Sequence, residues 1–195
     1  MTRRFVILAA AAALLAGAGQ AQAQKYFDFL HGGTSYYRGD RRLSPGGVSP
    51  IPRTSVYYPG NYAPGTIVIN TSERRLYLVQ PGGTALRYGI GVGRDGFRWS
   101  GAHRISAKRE WPDWTPPAEM RRRRPDLPSY MEGGIENPLG ARALYLGSTL
   151  YRIHGSNEPE TIGQAVSSGC FRMTNEDVVD LYDRVSVGAT VIVRN

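Results

Sequence analysis

From residue 66 onward the chain alternates short apolar runs with turn residues. Thr66-Ile67-Val68-Ile69-Asn70 reads as a β-run, and Thr71-Ser72-Glu73 as the turn that ends it. Residues 75–80 alternate strictly: Leu76, Leu78 and Gln80 share one face, Arg75, Tyr77 and Val79 the other. Pro81-Gly82-Gly83 turns again and 85–92 supplies a third strand, which completes a β-meander. Isolated strands are expected at 102–108, 143–146, 150–153 and 190–193. The clearest helix is 175–185, because Val178, Leu181, Tyr182 and Val185 follow the spacing of one buried helical face. Thr174 is placed to cap it, with Asp177 three residues on as an approximate capping box. The pattern predicts a mainly β domain over 64–195 with one or two helices.

Elsewhere the periodicity fails. Residues 24–63 are rich in Tyr, Gly, Pro, Ser and Arg, as in Tyr36-Tyr37-Arg38-Gly39 and Tyr57-Tyr58-Pro59-Gly60. They read as an irregular arm or linker whose tyrosines either stack on sugars or dock on the domain. Inside the domain, Trp111-Pro112-Asp113-Trp114-Thr115-Pro116-Pro117 and the four arginines 121–124 form a long connection. Consecutive prolines oppose regular structure there. Such a connection suits a lid or groove wall, and the arginines also suit a solvated surface.

Residues 1–23 read as an export signal rather than fold. Arg3 and Arg4 precede an apolar run over 5–18, and Ala21-Gln22-Ala23 is an A-x-A cleavage site. The mature chain then starts at Gln24. The run is short for a membrane anchor, so no stable span is expected after cleavage. No cysteine follows it, which argues against a lipid anchor.

Charge and cysteine count narrow the chemistry. Removing Arg3 and Arg4 from the 24 basic residues leaves 22 against 16 acidic ones, a net charge of +6. A basic exported protein meets anionic surfaces: wall polymer, phospholipid headgroups or polysaccharide. A nucleic-acid partner is not expected. One cysteine in 195 residues excludes an internal disulfide, a CxxC redox pair and a multi-cysteine zinc site. His31 and His103 have no partner motif, and with His154 and Cys170 they lack ligand spacing. No metal and no cofactor are expected.

One window remains. Ile153-His154-Gly155-Ser156-Asn157 leads through Ile162-Gly163 to Ser167-Ser168-Gly169-Cys170-Phe171-Arg172-Met173. A free thiol is mostly protonated at neutral pH, and the thiolate is the nucleophile. A histidine in reach can take the proton and later return it to a leaving amine. A glycine-rich loop between the two lets them meet. Gly169 permits a tight turn beside the sulfur, and amides of that turn, including that of Cys170, suit a developing oxyanion.

This window resembles the signature of the L,D-transpeptidase (YkuD-type) family: H-G, a variable stretch with I-G, then S-x-G-C-[IVF]-R-[ML]. Asn137-Pro138-Leu139-Gly140, Ala143-Leu144-Tyr145-Leu146, Asn175-Glu176-Asp177 and Val187-Gly188-Ala189-Thr190-Val191 extend the similarity over about 64–195. Phe171, where isoleucine or valine is commoner, is a mild departure.

The resemblance implies a single YkuD-like β-sandwich domain that acts on peptidoglycan stems. Cys170 would attack the diaminopimelate carbonyl of a tetrapeptide stem and expel D-alanine. The thioester would pass to the side-chain amine of a second stem as a 3-3 cross-link. It implies Cys170 as nucleophile, His154 as general base and acid, and the Gly155 carbonyl as orienter of the imidazole. Arg172 either binds a substrate carboxylate or braces the loop. Ser168 shapes the cysteine loop or touches substrate, and Gly169 serves the oxyanion turn. Asn157 and Gly163 are assigned to loop geometry, Trp111 and Trp114 to a donor groove or the core. The implied partners are donor and acceptor stems, and the implied location is the periplasm, in association with the wall. Water or an outer-membrane protein's amine as acceptor, and a non-catalytic wall binder, are the competing readings.

Overall fold

The apolar runs become strands whose two faces are buried against different things. In the computed structural model, which describes residues 49–195, the meander comprises β2 (Ile67–Asn70), β3 (Arg75–Gln80) and β4 (Thr84–Gly89). The export-signal reading, His31, Tyr36 and Tyr37 lie outside the described residues. Leu76 and Leu78 face the main core; Tyr77 and Val79 form a second cluster with Val68 and Ala85 on the opposite face.

That second face is covered by residues read as arm. Thr54–Tyr57 is β1, paired antiparallel with β4, and Val56, Tyr58 and Tyr62 pack over the cluster. Tyr58 stacks on Tyr77 at 4.7 Å between ring centroids. Arg53 pairs with Asp177 at 3.4 Å and Asp180 at 3.2 Å. The folded unit therefore begins upstream of residue 64, and this part of the arm is not irregular.

The remaining strands and α-helices are β5 (Val92–Gly93), β6 (Gly101–Glu110), α1 (Ala118–Arg123), β7 (Arg142–Leu146), β8 (Arg152–His154), β9 (Ala165–Ser167), β10 (Phe171–Arg172), α2 (Asn175–Arg184) and β11 (Thr190–Arg194). Nine strands form one sheet in the order β1-β4-β3-β2-β11-β6-β7-β8-β10; β5 and β9 pair separately. β6 is the hinge of the sheet. Its first residues pair with β11 and its later ones with β7, with a register irregularity between Ile105 and Ala107. A bulge bends and twists a strand, so the sheet curls onto itself. The core between its halves holds Ile67, Ile69, Tyr88, Ile105, Leu144 and Phe171, among others.

Helix α2 closes this core with Val178, Leu181 and Val185 buried and Tyr182 against the edge. The Thr174 hydroxyl accepts from the Asp177 N–H at 3.2 Å, so the predicted cap forms. At the other end Lys108 donates to the Tyr182 and Val185 carbonyls at 2.6 and 2.7 Å, and satisfies groups that a helix terminus leaves open. The mainly β architecture agrees with the sequence reading. The differences are local: 85–92 is two strands, β9 and β10 had no period to reveal them, and α1 starts immediately after Pro117. Its arginines stand exposed in the last turn and beyond.

Candidate active site

Two short parallel strands assemble the site. In the β8–β10 pair Phe171 lies beside Ile153 and Arg172 beside His154, and the Met173 N–H donates to the His154 carbonyl at 2.8 Å. Side chains alternate along a strand, and partners across a pair share a face. Ile153 and Phe171 therefore point into the core, where both are buried. Arg152, His154 and Arg172 take the opposite face. Cys170 immediately precedes β10, level with Arg152, and lies within hydrogen-bonding reach of it.

His154 is buried, and its Nδ1 is 2.6 Å from the Gly155 carbonyl oxygen. A carbonyl only accepts, so Nδ1 carries the proton and donates, and Nε2 is left with a lone pair. Burial first, then the Arg172 charge, push the imidazole down to about 3 from 6.5; the Gly155 hydrogen bond opposes them. Cys170 is half-buried, with its thiol directed at the Leu150 carbonyl at 3.8 Å. Burial raises its pKa, while hydrogen bonds and charge from Arg152, with charge from Arg172, pull the other way. Both shifts favour a neutral thiol beside a neutral imidazole at rest.

The cysteine loop is braced from within. The Ser167 hydroxyl donates to the Cys170 carbonyl at 2.6 Å and accepts from the Gly169 N–H at 3.1 Å. The loop's internal hydroxyl contacts thus come from Ser167, and Ser168 sits half-buried beside it. The Gly169 N–H is turned inward and engaged, so Gly169 serves the turn by its conformation. Its φ is +110°, and an added Cβ would strike the Tyr151 ring. Trp99 Nε1 donates to the Gly169 carbonyl at 2.8 Å and its ring stacks on Tyr151 at 4.5 Å. His103 meets Trp99 edge-on at 5.2 Å.

The histidine loop is fixed by neighbours in the Asn-Pro-Leu-Gly stretch. The Gly155 N–H donates to the Arg142 carbonyl at 3.0 Å. Asn175 Oδ1 accepts from the Ala141 N–H at 2.9 Å and occupies the space a Cβ on Gly155 would need. Asn137, almost fully buried, donates to the Glu132 carbonyl at 2.9 Å and accepts from the Leu139 N–H at 2.9 Å. Asn157 donates to the Glu136 carbonyl at 3.1 Å, and the Gly163 carbonyl accepts from Arg74 at 2.9 Å.

Arg172 pairs with Glu158 at 2.7 Å. Trp111 and Trp114 lie along the 111–141 connection, where the Trp111 N–H donates to the Ala141 carbonyl and Trp114 exchanges both backbone bonds with Met131. Trp99, Tyr151, Ser167, Arg152 and Glu158 are the neighbours that sequence reading passed over. Only Arg152 had a visible signal, the two-residue spacing that puts it on the His154 face. Among the described residues no group of three His, Cys, Asp or Glu side chains is placed to hold a metal ion, and no helix is long and apolar enough to cross a membrane.

Comparison with known proteins places this geometry. Residues 64–193 match the model of the L,D-transpeptidase catalytic domain, YkuD. A probable L,D-transpeptidase of Escherichia coli, ErfK/SrfK, is 39% identical over 134 residues, which cover 64% of this chain and 42% of that protein. The chain thus spans under half the length of that curated relative. A structure from Brucella melitensis, described as a probable carnitine operon oxidoreductase, is 48% identical with a TM-score of 0.51, covering 77% of this chain and 96% of that one. An L,D-transpeptidase from Mycobacterium smegmatis shares the fold at 18% identity and a TM-score of 0.53, over 67% and 58% of the two chains. With two-thirds of its length matched, and with the cysteine and histidine loops inside the match, the chain belongs to the L,D-transpeptidase (YkuD) family.

Proposed function

We propose that this protein is an L,D-transpeptidase of the bacterial wall that works through a Cys170 thioester. The observation that carries the reading is the shared face of two adjacent parallel strands. It puts Cys170 on the same face as an imidazole whose Nδ1 is committed to the Gly155 carbonyl, which leaves Nε2 free to act as the base.

The reaction follows from that pair. A tetrapeptide stem places its diaminopimelate carbonyl over the sulfur. As sulfur attacks, its proton passes to His154 Nε2 and the carbonyl oxygen becomes an oxyanion. The Cys170 N–H is the proposed oxyanion donor, because the Gly169 N–H is already engaged by Ser167. The carbon–nitrogen bond to D-alanine breaks, His154 gives its proton to the leaving amine, and a thioester remains on Cys170. The side-chain amine of a second stem then attacks, loses a proton to His154 and forms the 3-3 cross-link. The sulfur leaves and is reprotonated. The resting neutral pair suits this sequence, since charge appears only as the substrate reacts. Arg172, with its guanidinium held by Glu158, is assigned to bracing the site rather than to first capture of a substrate carboxylate.

The export signal and the basic mature chain fit a periplasmic enzyme associated with an anionic wall. Water is the competing acceptor, since Cys170 is only half-buried, and it would make the same thioester a carboxypeptidase step. Incubating the purified protein with disaccharide-tetrapeptide and resolving products by mass decides between them. The proposal expects free D-alanine and a 3-3 dimer. D-alanine with tripeptide alone indicates hydrolysis, and neither product from folded protein would falsify both.

A further inference from the structure

The face that carries the nucleophile also carries a cation with no assigned task. Arg152 stands two residues before His154 on β8, level with Cys170. Its Nη1 donates to the Leu150 carbonyl at 3.3 Å, the same oxygen toward which the thiol points at 3.8 Å. Its position is fixed by Tyr145, its partner on β7, whose ring centroid lies 5.0 Å from the guanidinium carbon. Its Nε is buried and has no hydrogen-bond partner.

A buried donor left without an acceptor is costly, by about 1–3 kcal/mol. Arg87 Nε is also buried and unpartnered, away from the cysteine loop, so an unpaired donor alone assigns no role. What sets Arg152 apart is a neighbour that can change state. The sulfur is such a neighbour. As a thiol it donates to Leu150; as a thiolate it can only accept. The charged groups around it are Arg152 on β8 and Arg172 on β10, and the titratable one is the neutral His154 on β8. Arg172 is already paired with Glu158, whereas Arg152 has no carboxylate partner among the described residues.

We infer that Arg152 is a catalytic residue: its guanidinium meets the negative charge that builds on the Cys170 sulfur as the proton leaves for His154 Nε2 and the sulfur attacks. In this step the S–H bond breaks and an N–H bond forms on the imidazole. The new negative charge is met by a cation already in place, in a charge-assisted hydrogen bond. The inference deepens the reading of Cys170 as nucleophile and rests on it.

The test is the pH dependence of Cys170 alkylation by iodoacetamide, followed by intact mass. In that reaction a sulfur–carbon bond forms as iodide leaves, so the rate reports thiolate and needs no peptidoglycan. Arg152→Met and Arg152→Gln remove the charge, and Arg152→Lys retains it; circular dichroism confirms that each is folded. Both neutral variants should move the midpoint of the profile upward by about one pH unit and slow alkylation about tenfold at neutral pH. Arg152→Lys should recover most of the lost rate. Neutral variants with the wild-type profile, or a lysine variant as slow as they are, overturn the inference. A shifted profile in a protein that releases no D-alanine would refute the transpeptidase reading and leave the role of Arg152 intact.

Discussion

Ser167 and Ser168 are adjacent and identical in the sequence, yet only one faces into the cysteine loop. Ser167 bonds the Cys170 carbonyl and the Gly169 N–H. Which serine turns inward depends on β9 pairing with β5, a contact between segments more than seventy residues apart that local pattern does not reveal. Cys170 and His154 stand out as candidates in the sequence because a thiol nucleophile needs a base, and the Gly155 carbonyl is expected from the family resemblance alone. Ser167→Ala should lower stability by about 1–2 kcal/mol by leaving two loop groups unpaired. It should also slow acylation of Cys170 by a carbapenem, measured by intact mass, more than Ser168→Ala does. His154 adds a pH signature. The unfolded chain protonates this side chain near 6.5, the native one only near about 3, so between these values the unfolded state binds more protons. Its contribution to stability is therefore intact above 6.5 and falls as pH drops toward 3. Chemical denaturation at several pH values should show the wild type losing stability relative to His154→Gln as pH falls below 6.5; Asp177, raised to about 6, contributes the opposite slope equally to both.

Longer elements declared themselves through periodicity, and short ones did not. The six residues of β3 and the ten of α2 show a face repeatedly, so their sequence spacing matched their burial. β10 has two residues and β9 three, too few to display any repeat, and they are the elements that position Cys170. Their geometry comes from the loop between them. Gly169 is the tight point, with a positive φ and the Tyr151 ring against the place of its missing Cβ. Gly169→Ala should cost about 1–3 kcal/mol in backbone strain before the ring contact is counted. It should also reduce Cys170 acylation strongly in protein that still folds by circular dichroism. An equal acylation rate would show that the turn does not set the sulfur's position.

For the molecule as a whole, the folded unit is longer than the family match. Ile51 packs against Gly89 and Gly163, Arg53 pairs with two carboxylates of α2, and Tyr58 covers Tyr77, all upstream of residue 64. The sequence concealed this because β1 has only four residues between Pro52 and Pro59, and the rest of the docking is carried by single side chains. A chain beginning at residue 64 would expose the face of Val68, Tyr77 and Val79. It should unfold at a lower temperature than one beginning at residue 49, with each large apolar side chain uncovered costing about 1.5–3 kcal/mol. Equal unfolding temperatures would show that this segment only rests on the domain. The account's central claim concerns one covalent bond, and quenching the protein during turnover of a tetrapeptide stem tests it most directly. Intact-mass and peptide analysis should find a donor acyl group, the stem less D-alanine, on Cys170, and none in Cys170→Ala. Continued D-alanine release by Cys170→Ala, or wild-type turnover with the acyl group on another residue, would contradict it.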